Sequence, residues 1–177
     1  MTDDDPRPRT APGGPLVAED VVRLDLREAP DREEAGLRPG ERDVVLSRVG
    51  AAIDVELELP GGTLAVDAFR VNLRGGPAGA PEPSYAERVL VSVRGLDTAA
   101  VLDQLGGQAG TLGLDAARVQ EWAAQSPTPD RGGNQLFRSE AVEPSIEVEV
   151  RSDSDETWTI NYSFSFDEPP ADAGTPS

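Results

Sequence analysis

The most constraining feature of the sequence is a pair of alternating segments near its C-terminal end. Residues 145–150 alternate isoleucine or valine with serine or glutamate, and residues 157–166 alternate large apolar side chains with small polar ones. Because successive side chains of a β-strand point to opposite faces, each segment presents one apolar face. The polar stretch between them is typical of a turn, so the two segments are predicted to form a β-hairpin. The second strand carries half of the aromatic residues of the chain, which predicts that it lies at the centre of the core: Trp158, Tyr162, Phe164 and Phe166.

A second hairpin is predicted upstream of the first. The first run spans residues 44–59, and aliphatic and acidic side chains alternate clearly over 53–59 within it. Pro60-Gly61-Gly62 is a turn signal, and residues 63–74 return as a strand. The alternation of the return strand changes phase once. One extra residue near Ala68 would restore it, so we expect a β-bulge there. Shorter segments predict strands over 85–95 and 135–141, and either a strand or an edge-bound amphipathic segment over 20–27.

Two helices are predicted in the middle of the chain. Asp97 is the expected N-cap of a helix over 98–105, which Gly106-Gly107 is expected to end. Asp115 is the expected N-cap of a second helix over 116–125, which Pro127 and Pro129 are expected to end. Apolar side chains recur along each helix at intervals of three or four residues, so each helix presents one apolar stripe.

The order of the predicted elements favours the α+β class, because runs of strands flank a clustered pair of helices. We predict a single, mostly antiparallel sheet with the helical hairpin packed on one face. The alternative is a β-sandwich with an inserted helix pair. Polar residues alternate along nearly every strand, so the other face of the sheet is either exposed to solvent or covered by a partner. The order of the strands within the sheet does not follow from the sequence.

The folded part of the chain is predicted to span residues 19–167 as a single α+β domain. Residues 1–18 and 168–177 are rich in Asp, Pro and Gly and contain few apolar side chains, so both are predicted to be disordered tails. Residues 28–42 have the charge and the Pro/Gly content of a linker-like loop. The acidic start of the chain does not resemble a signal peptide, and no apolar run has the length of a membrane span. We therefore expect a cytoplasmic protein.

The composition restricts the chemistry and the partners of the protein. The chain of 177 residues has 33 acidic and 16 basic side chains, hence a net charge of −17. All the basic residues are arginine, which is typical of a bacterium with a GC-rich genome. The absence of Cys and His excludes disulfides, thiolate nucleophiles, histidine bases and zinc sites of the Cys/His type. The negative charge argues against direct binding to nucleic acid or to anionic membranes, because both would repel the protein.

Four outward-facing glutamates are the predicted binding residues: Glu56, Glu58, Glu147 and Glu149. Together with Asp54 they could lie on the polar face of the sheet, and they form one acidic surface there if their strands are neighbours. The alternative is that arginines interleave with them as cross-strand partners, the candidates being Arg70, Arg88, Arg94 and Arg138. No catalytic residue, metal-ligand set or cofactor motif is predicted.

Two loops are weaker candidates for a site. The turn of the last hairpin contains Asp153, Asp155 and Glu156, and carboxylates on a loop can bind a hard cation such as calcium. The EF-hand spacing is absent, however, and a charged turn that opposes aggregation is the favoured interpretation. Residues 75–84 form a Gly/Pro-rich loop that is a candidate for recognition.

These observations predict a non-enzymatic binding or accessory protein. Its expected partner is another protein with a basic surface, contacted through the acidic sheet face or a strand edge, and self-association into a homo-oligomer is a related expectation. One alternative is a nucleic-acid mimic that inhibits a DNA-binding protein. The other is a carboxylate-dependent hydrolase or a protein that binds divalent cations.

Overall fold

A computed structural model of the chain describes residues 21–48, 50–76, 79, 81–130, 133–140, 143–153 and 156–167, and within them it contains nine strands and two helices. The predicted tails, part of the 75–84 loop and Asp155 lie outside the described residues. The strands are Val21–Asp25 (β1), Asp43–Ser47 (β2), Ile53–Leu59 (β3), Gly62–Ala68 (β4), Arg70–Arg74 (β5), Arg88–Leu96 (β6), Gln135–Arg138 (β7), Ser145–Ser152 (β8) and Trp158–Ser165 (β9), and the helices are Thr98–Leu112 (α1) and Ala116–Ala124 (α2).

The strands form two sheets. A six-stranded sheet has the order β2-β5-β6-β9-β8-β7 and is antiparallel throughout, and a three-stranded sheet has the order β1-β3-β4. In the smaller sheet β3 and β4 are antiparallel, whereas β1 pairs with β3 in parallel. The α+β class, the mostly antiparallel pairing and the packing of the helices on a sheet are confirmed. The strands are divided between two sheets, however, where the sequence predicts one.

The predicted phase change near Ala68 marks the point where the chain passes from one sheet to the other. β4 belongs to the three-stranded sheet and β5 to the six-stranded sheet, and only Phe69 separates them. The backbone N–H of Phe69 donates to the carbonyl oxygen of Ser92 on β6 at 2.9 Å. A strand that changes sheets needs a local irregularity of this kind to turn its apolar side chains toward the same core.

The inward side chains of both sheets and of the helices belong to one hydrophobic core. The predicted β8–β9 hairpin is confirmed, and its apolar pairs Val148–Tyr162 and Val150–Ile160 are in register. Trp158 is fully buried, and its ring meets that of Trp122 on α2 edge-on, with 5.8 Å between the ring centroids. The large aromatic side chains of β9 therefore hold the helices against the six-stranded sheet.

Helix α1 is longer than predicted. Both predicted N-caps are confirmed, since the side chain of Asp97 accepts from the N–H of Ala100 and that of Asp115 from the N–H of Ala117. The predicted end at Gly106-Gly107 is wrong, because the helix continues to a left-handed cap at Gly113 with φ of 63°. Buried side chains continue along the same stripe beyond the two glycines, and their packing outweighs the low helix propensity of glycine.

The segment 28–42 has no helix or strand, as expected of a loop, yet it is packed onto the domain. The Arg32 side chain, 12% exposed, donates to the carbonyl oxygens of Arg38 at 3.0 Å and Glu41 at 2.8 Å. Leu37 is buried, and the N–H of Ala86 donates to the carbonyl of Pro30 at 2.8 Å. These contacts join the loop to itself and to the segment before β6.

Candidate functional site

The outward side of the three-stranded sheet carries a marked excess of carboxylates. On β3 the inward side chains are aliphatic and buried, and the three between them are acidic. The in-register partners on β1 and β4 extend this surface to both edges of the sheet. We call it the acidic face; its charged members are Asp25, Asp54, Glu56, Glu58 and Asp67, with Arg23 as the basic one.

Like charges stand directly opposite each other on the acidic face. Asp54 of β3 is in register with Asp67 of β4, and both are exposed. Glu58 is in register with Asp25 of β1 and accepts a hydrogen bond from Thr63 Oγ1 at 2.9 Å. Such cross-strand pairs destabilise a sheet by several tenths of a kcal/mol or more. The sheet therefore keeps a net negative surface at some cost to its stability.

Arginines compensate part of this charge at the β1 edge. Arg23 Nε lies 2.6 Å from Glu56 Oε2, and this hydrogen bond and charge raise the pKa of Arg23. Arg27 Nε donates to Asp25 Oδ1 at 2.9 Å, and its backbone N–H donates to the same oxygen at 3.1 Å. These hydrogen bonds, the side-chain one foremost, lower the pKa of the Asp25 carboxyl to about 2. The Asp25 carboxylate therefore remains ionised throughout the physiological range.

The structure does not bring the four predicted glutamates together. Glu56 and Glu58 lie on the acidic face, whereas Glu147 and Glu149 lie on β8, on the outward side of the other sheet. Glu147 accepts from Arg138 Nε at 2.8 Å, as the interleaving alternative expects, and Glu149 accepts from the Asn161 amide at 3.3 Å. The sequence pattern correctly places each pair on a polar side of its strand, but it does not show that the pairs belong to different sheets.

The outward side of the six-stranded sheet has the opposite charge. Within the described strands, its six arginines outnumber its three carboxylates, although the whole chain has a net charge of −17. The arginines are Arg70, Arg74, Arg88, Arg94, Arg138 and Arg151, and the carboxylates are Asp43, Glu147 and Glu149. Four of the arginines are on the central strands β5 and β6. We call that part the arginine face; its charged members are Arg70, Arg74, Arg88 and Arg94.

The centre of the arginine face is a buried amide. Asn72 of β5 is in register with Val45 of β2 on one side and Leu90 of β6 on the other. It is 4% exposed, and its Oδ1 has no hydrogen-bond partner among the described residues. Nearly all buried polar atoms in folded proteins have a partner, so Asn72 is an unusual feature of this surface. The sequence pattern does not single out Asn72, because a polar residue at an outward strand position is expected to be solvated.

A cleft of about 630 Å³ lies beside the 28–42 loop. It has the size of a small-molecule site, but such sites are lined mainly by apolar and aromatic side chains. Most of the side chains here are charged or polar, and the Arg32 guanidinium is already engaged by backbone carbonyls. The lining therefore gives little support to a small-molecule site: Asp31, Arg32, Glu33, Glu34, Gly36, Leu37, Arg38, Pro39, Glu82 and Ser84.

Among the described residues, Tyr162 is the buried group whose pKa is shifted furthest, and its contacts indicate a structural role. Burial raises the pKa of Tyr162 above its ordinary value. Its hydroxyl accepts from Gln104 Nε2 and donates to Gln108 Oε1, both at 2.7 Å. The neutral phenol thus joins β9 to helix α1. In the last hairpin turn, Asp153 accepts a hydrogen bond from Thr159 Oγ1 and so helps to close the turn.

Neither a metal site, nor a membrane-spanning helix, nor a related protein points to a function for the described residues. Within the described ranges, no three Asp or Glu side chains are grouped so as to hold a metal ion. The two helices described are too short or too polar to cross a membrane. Searches against protein-family models, curated proteins and solved structures found no match. A function for this chain must therefore be inferred from its own geometry and charge.

Proposed function

We propose that the protein is a non-enzymatic binding protein that recognises a basic surface of another protein through its acidic face. The observation that supports this best is the Asp54–Asp67 pair, two exposed carboxylates held opposite each other across β3 and β4. A sheet that only had to be soluble would not need like charges in register. A basic partner that lies between them would remove this repulsion.

The expected binding is electrostatic in character. Complementary charge steers a partner and accelerates association, and exposed pairs add only modestly to affinity. Binding should therefore weaken steeply as salt concentration rises. Glu56, which Arg23 already pairs, and Glu58 remain proposed contacts together with Asp54 and Asp67. Glu147 and Glu149 are on the other sheet, where arginines outnumber carboxylates, so they are not part of this proposed surface.

The test is a comparison of two double variants that remove equal charge from different sheets. Asp54→Asn with Asp67→Asn changes the acidic face, and Glu147→Gln with Glu149→Gln is the matched control on β8. Each protein would be used to capture partners from a lysate at low salt, and the captured protein would be purified and titrated by calorimetry. We expect the first variant to bind more weakly, by about 1.5- to 5-fold for each carboxylate removed, and the control to change affinity less than that.

Three results would contradict or redirect the proposal. A wild-type protein that is monomeric and captures nothing contradicts it. Equal losses in both double variants indicate that net charge, and not the acidic face, is responsible. Displacement of this chain by DNA from a captured DNA-binding protein favours the nucleic-acid mimic instead. We further propose that the protein is bacterial, which its arginine-only basic composition supports, and that it acts in the cytoplasm.

A further inference from the structure

We propose that the arginine face is a second binding surface, one that takes an extended acidic peptide segment of a partner protein. This surface lies on the other sheet from the acidic face and has the opposite charge. The inference therefore does not rest on the proposed function. Three features of β5 and β6 support it: the incomplete neutralisation of the arginines, the unsatisfied amide oxygen of Asn72, and the spacing of the arginines along the strands.

The arginines of this face are incompletely neutralised. Among the described residues, Arg74 is the only one of the four with a carboxylate within 4.0 Å, Asp43 Oδ1 at 3.3 Å. Arg74 is also directly in register with Arg88, so two like charges stand opposite each other. Arg88 Nε donates to the Ser165 hydroxyl at 3.2 Å, and the Arg94 guanidinium lies over the Phe69 ring at 4.5 Å. Guanidinium groups held in this way remain available to carboxylates.

The side-chain oxygen of Asn72 has no hydrogen-bond donor among the described residues. Its neighbours Val71 and Leu73 point into the core, so the Asn72 side chain is on the outward side, between Val45 and Leu90. The unpartnered Oδ1 is destabilising in the free protein because it has lost water without gaining a protein donor. A peptide bound over this row supplies backbone N–H donors. The phosphodiester backbone of a nucleic acid supplies none, and the net charge of −17 opposes a long polyanion.

The spacing of the arginines suits an extended chain. Arg70 and Arg74 are four residues apart on β5, which corresponds to about 13 Å along a strand. Arg94 is diagonal to Arg70, and Arg88 is opposite Arg74, so two pairs of guanidiniums flank the Asn72 row. In an extended peptide, side chains four residues apart are on the same side and about 13 Å apart. Two carboxylates at that separation can therefore reach both pairs at once.

The experiment is a fluorescence-anisotropy titration of the full chain with labelled octapeptides at low salt. The probe is acetyl-(Glu-Ser)₄-amide, and acetyl-(Gln-Ser)₄-amide is its uncharged control. We expect the wild-type protein to bind the first peptide and not the second. Arg70→Ser with Arg74→Ser should weaken binding by about 1.5- to 5-fold for each arginine removed. The matched control is Arg138→Ser with Arg151→Ser. It removes equal charge from the same face of the sheet but at the other end, on β7 and β8, and should change the affinity less.

Asn72→Val separates a binding role from a structural one. Valine fits a central strand and removes the buried acceptor, so Tm of the free protein should rise by about 2–4 °C while peptide binding weakens. A fall in Tm would show that Asn72 serves the fold and would overturn the role given to its amide.

Other occupants of the arginine face give distinct results, each of which overturns the proposal. No binding of the glutamate peptide by wild-type protein refutes it directly, and equal losses in both arginine double variants show that the face is not selective. Tighter binding of a short single-stranded oligonucleotide than of the peptide assigns the surface to nucleic acid. A concentration-dependent oligomer that Arg70→Ser with Arg74→Ser abolishes, measured by sedimentation, assigns it to a second copy of this chain.

Discussion

Replacing Gly61 with alanine tests how the β3–β4 hairpin is seated on helix α1. A Cβ at Gly61 would come closer than 3.0 Å to the carbonyl oxygen of Thr111, and would lie 3.0 Å from its carbonyl carbon and 3.2 Å from the carbonyl oxygen of Gly110. All three atoms are backbone atoms in the last turn of α1, so they cannot move away as a flexible side chain would. The φ of Gly61 is outside the left-handed region, and the expected cost is therefore steric alone.

The magnitude follows from overpacking. Forcing an extra methyl group into a closely packed contact costs about 1–3 kcal/mol, and the backbone contact at Gly61 places the expected value in the upper half of that range. The matched control is Gly106→Ala on the exposed side of α1, where a Cβ would meet no atom within 4 Å. Since alanine has a higher helix propensity than glycine, this control should stabilise the protein by about 0.5–1 kcal/mol.

Urea denaturation, followed by the fluorescence of the buried Trp122 and Trp158, measures both effects. We expect the midpoint to fall for Gly61→Ala and to rise for Gly106→Ala, with an unchanged m-value in each case. A Gly61→Ala protein as stable as the wild type would refute the close seating of the hairpin on α1. A Gly106→Ala protein that loses stability would show that the exposed side of α1 is in contact with something else.

Three further substitutions test other links of the fold. Tyr162→Phe should lower the free energy of unfolding by about 1–2 kcal/mol, because it leaves Gln104 and Gln108 of α1 without their hydrogen-bond partner. Thermal denaturation measures this loss, and an unchanged Tm would contradict the link between β9 and α1. Asp97→Ala should cost about 1 kcal/mol through loss of the N-cap, whereas Asp103→Ala on the exposed side of the same helix should cost less. The pKa of Asp25 is lowered to about 2, so the ion pair of Asp25 stabilises the fold above the unfolded pKa of about 3.9, and this stabilisation is lost as pH falls through 2. An NMR titration of the Asp25 carboxyl should show the lowered pKa. Arg27→Ala should return that pKa toward its ordinary value.

The sequence predicts the parts of this fold that depend on local periodicity. The β8–β9 hairpin follows from a strict period of two with a polar turn, and both helix starts follow from an aspartate at the cap position. The end of α1 does not, because the decisive factor is packing of the residues after Gly107 and not the propensity of the glycines. Propensity is a weak guide where a buried stripe continues.

The division into two sheets and the location of the charged surfaces could not be predicted in this way. Alternation shows which side chains of one strand share a face, but it does not show which strands are neighbours. The parallel pairing of β1 with β3 joins segments about thirty residues apart and leaves no local signal. For the same reason, Glu58 and Glu147 look equivalent in the sequence, although Glu58 is in register with Asp25 and Glu147 lies beside Arg138. The arginine face was not predicted either, because the sequence pattern suggests Arg70, Arg88 and Arg94 only as partners for glutamates and does not single out Arg74.

The change of sheets at Phe69 has a consequence for the cooperativity of the domain. One nearly continuous stretch of chain supplies an edge strand of the smaller sheet and an inner strand of the larger one. Because the two sheets also share one hydrophobic core, opening of the smaller sheet would expose buried side chains of the larger, and we expect the two sheets to unfold together. Amide protons in the middle of β3 should then exchange with solvent as slowly as those of β9, through global unfolding alone. The two oppositely charged faces would thus be rigidly coupled, and occupation of either would slow hydrogen exchange in both sheets.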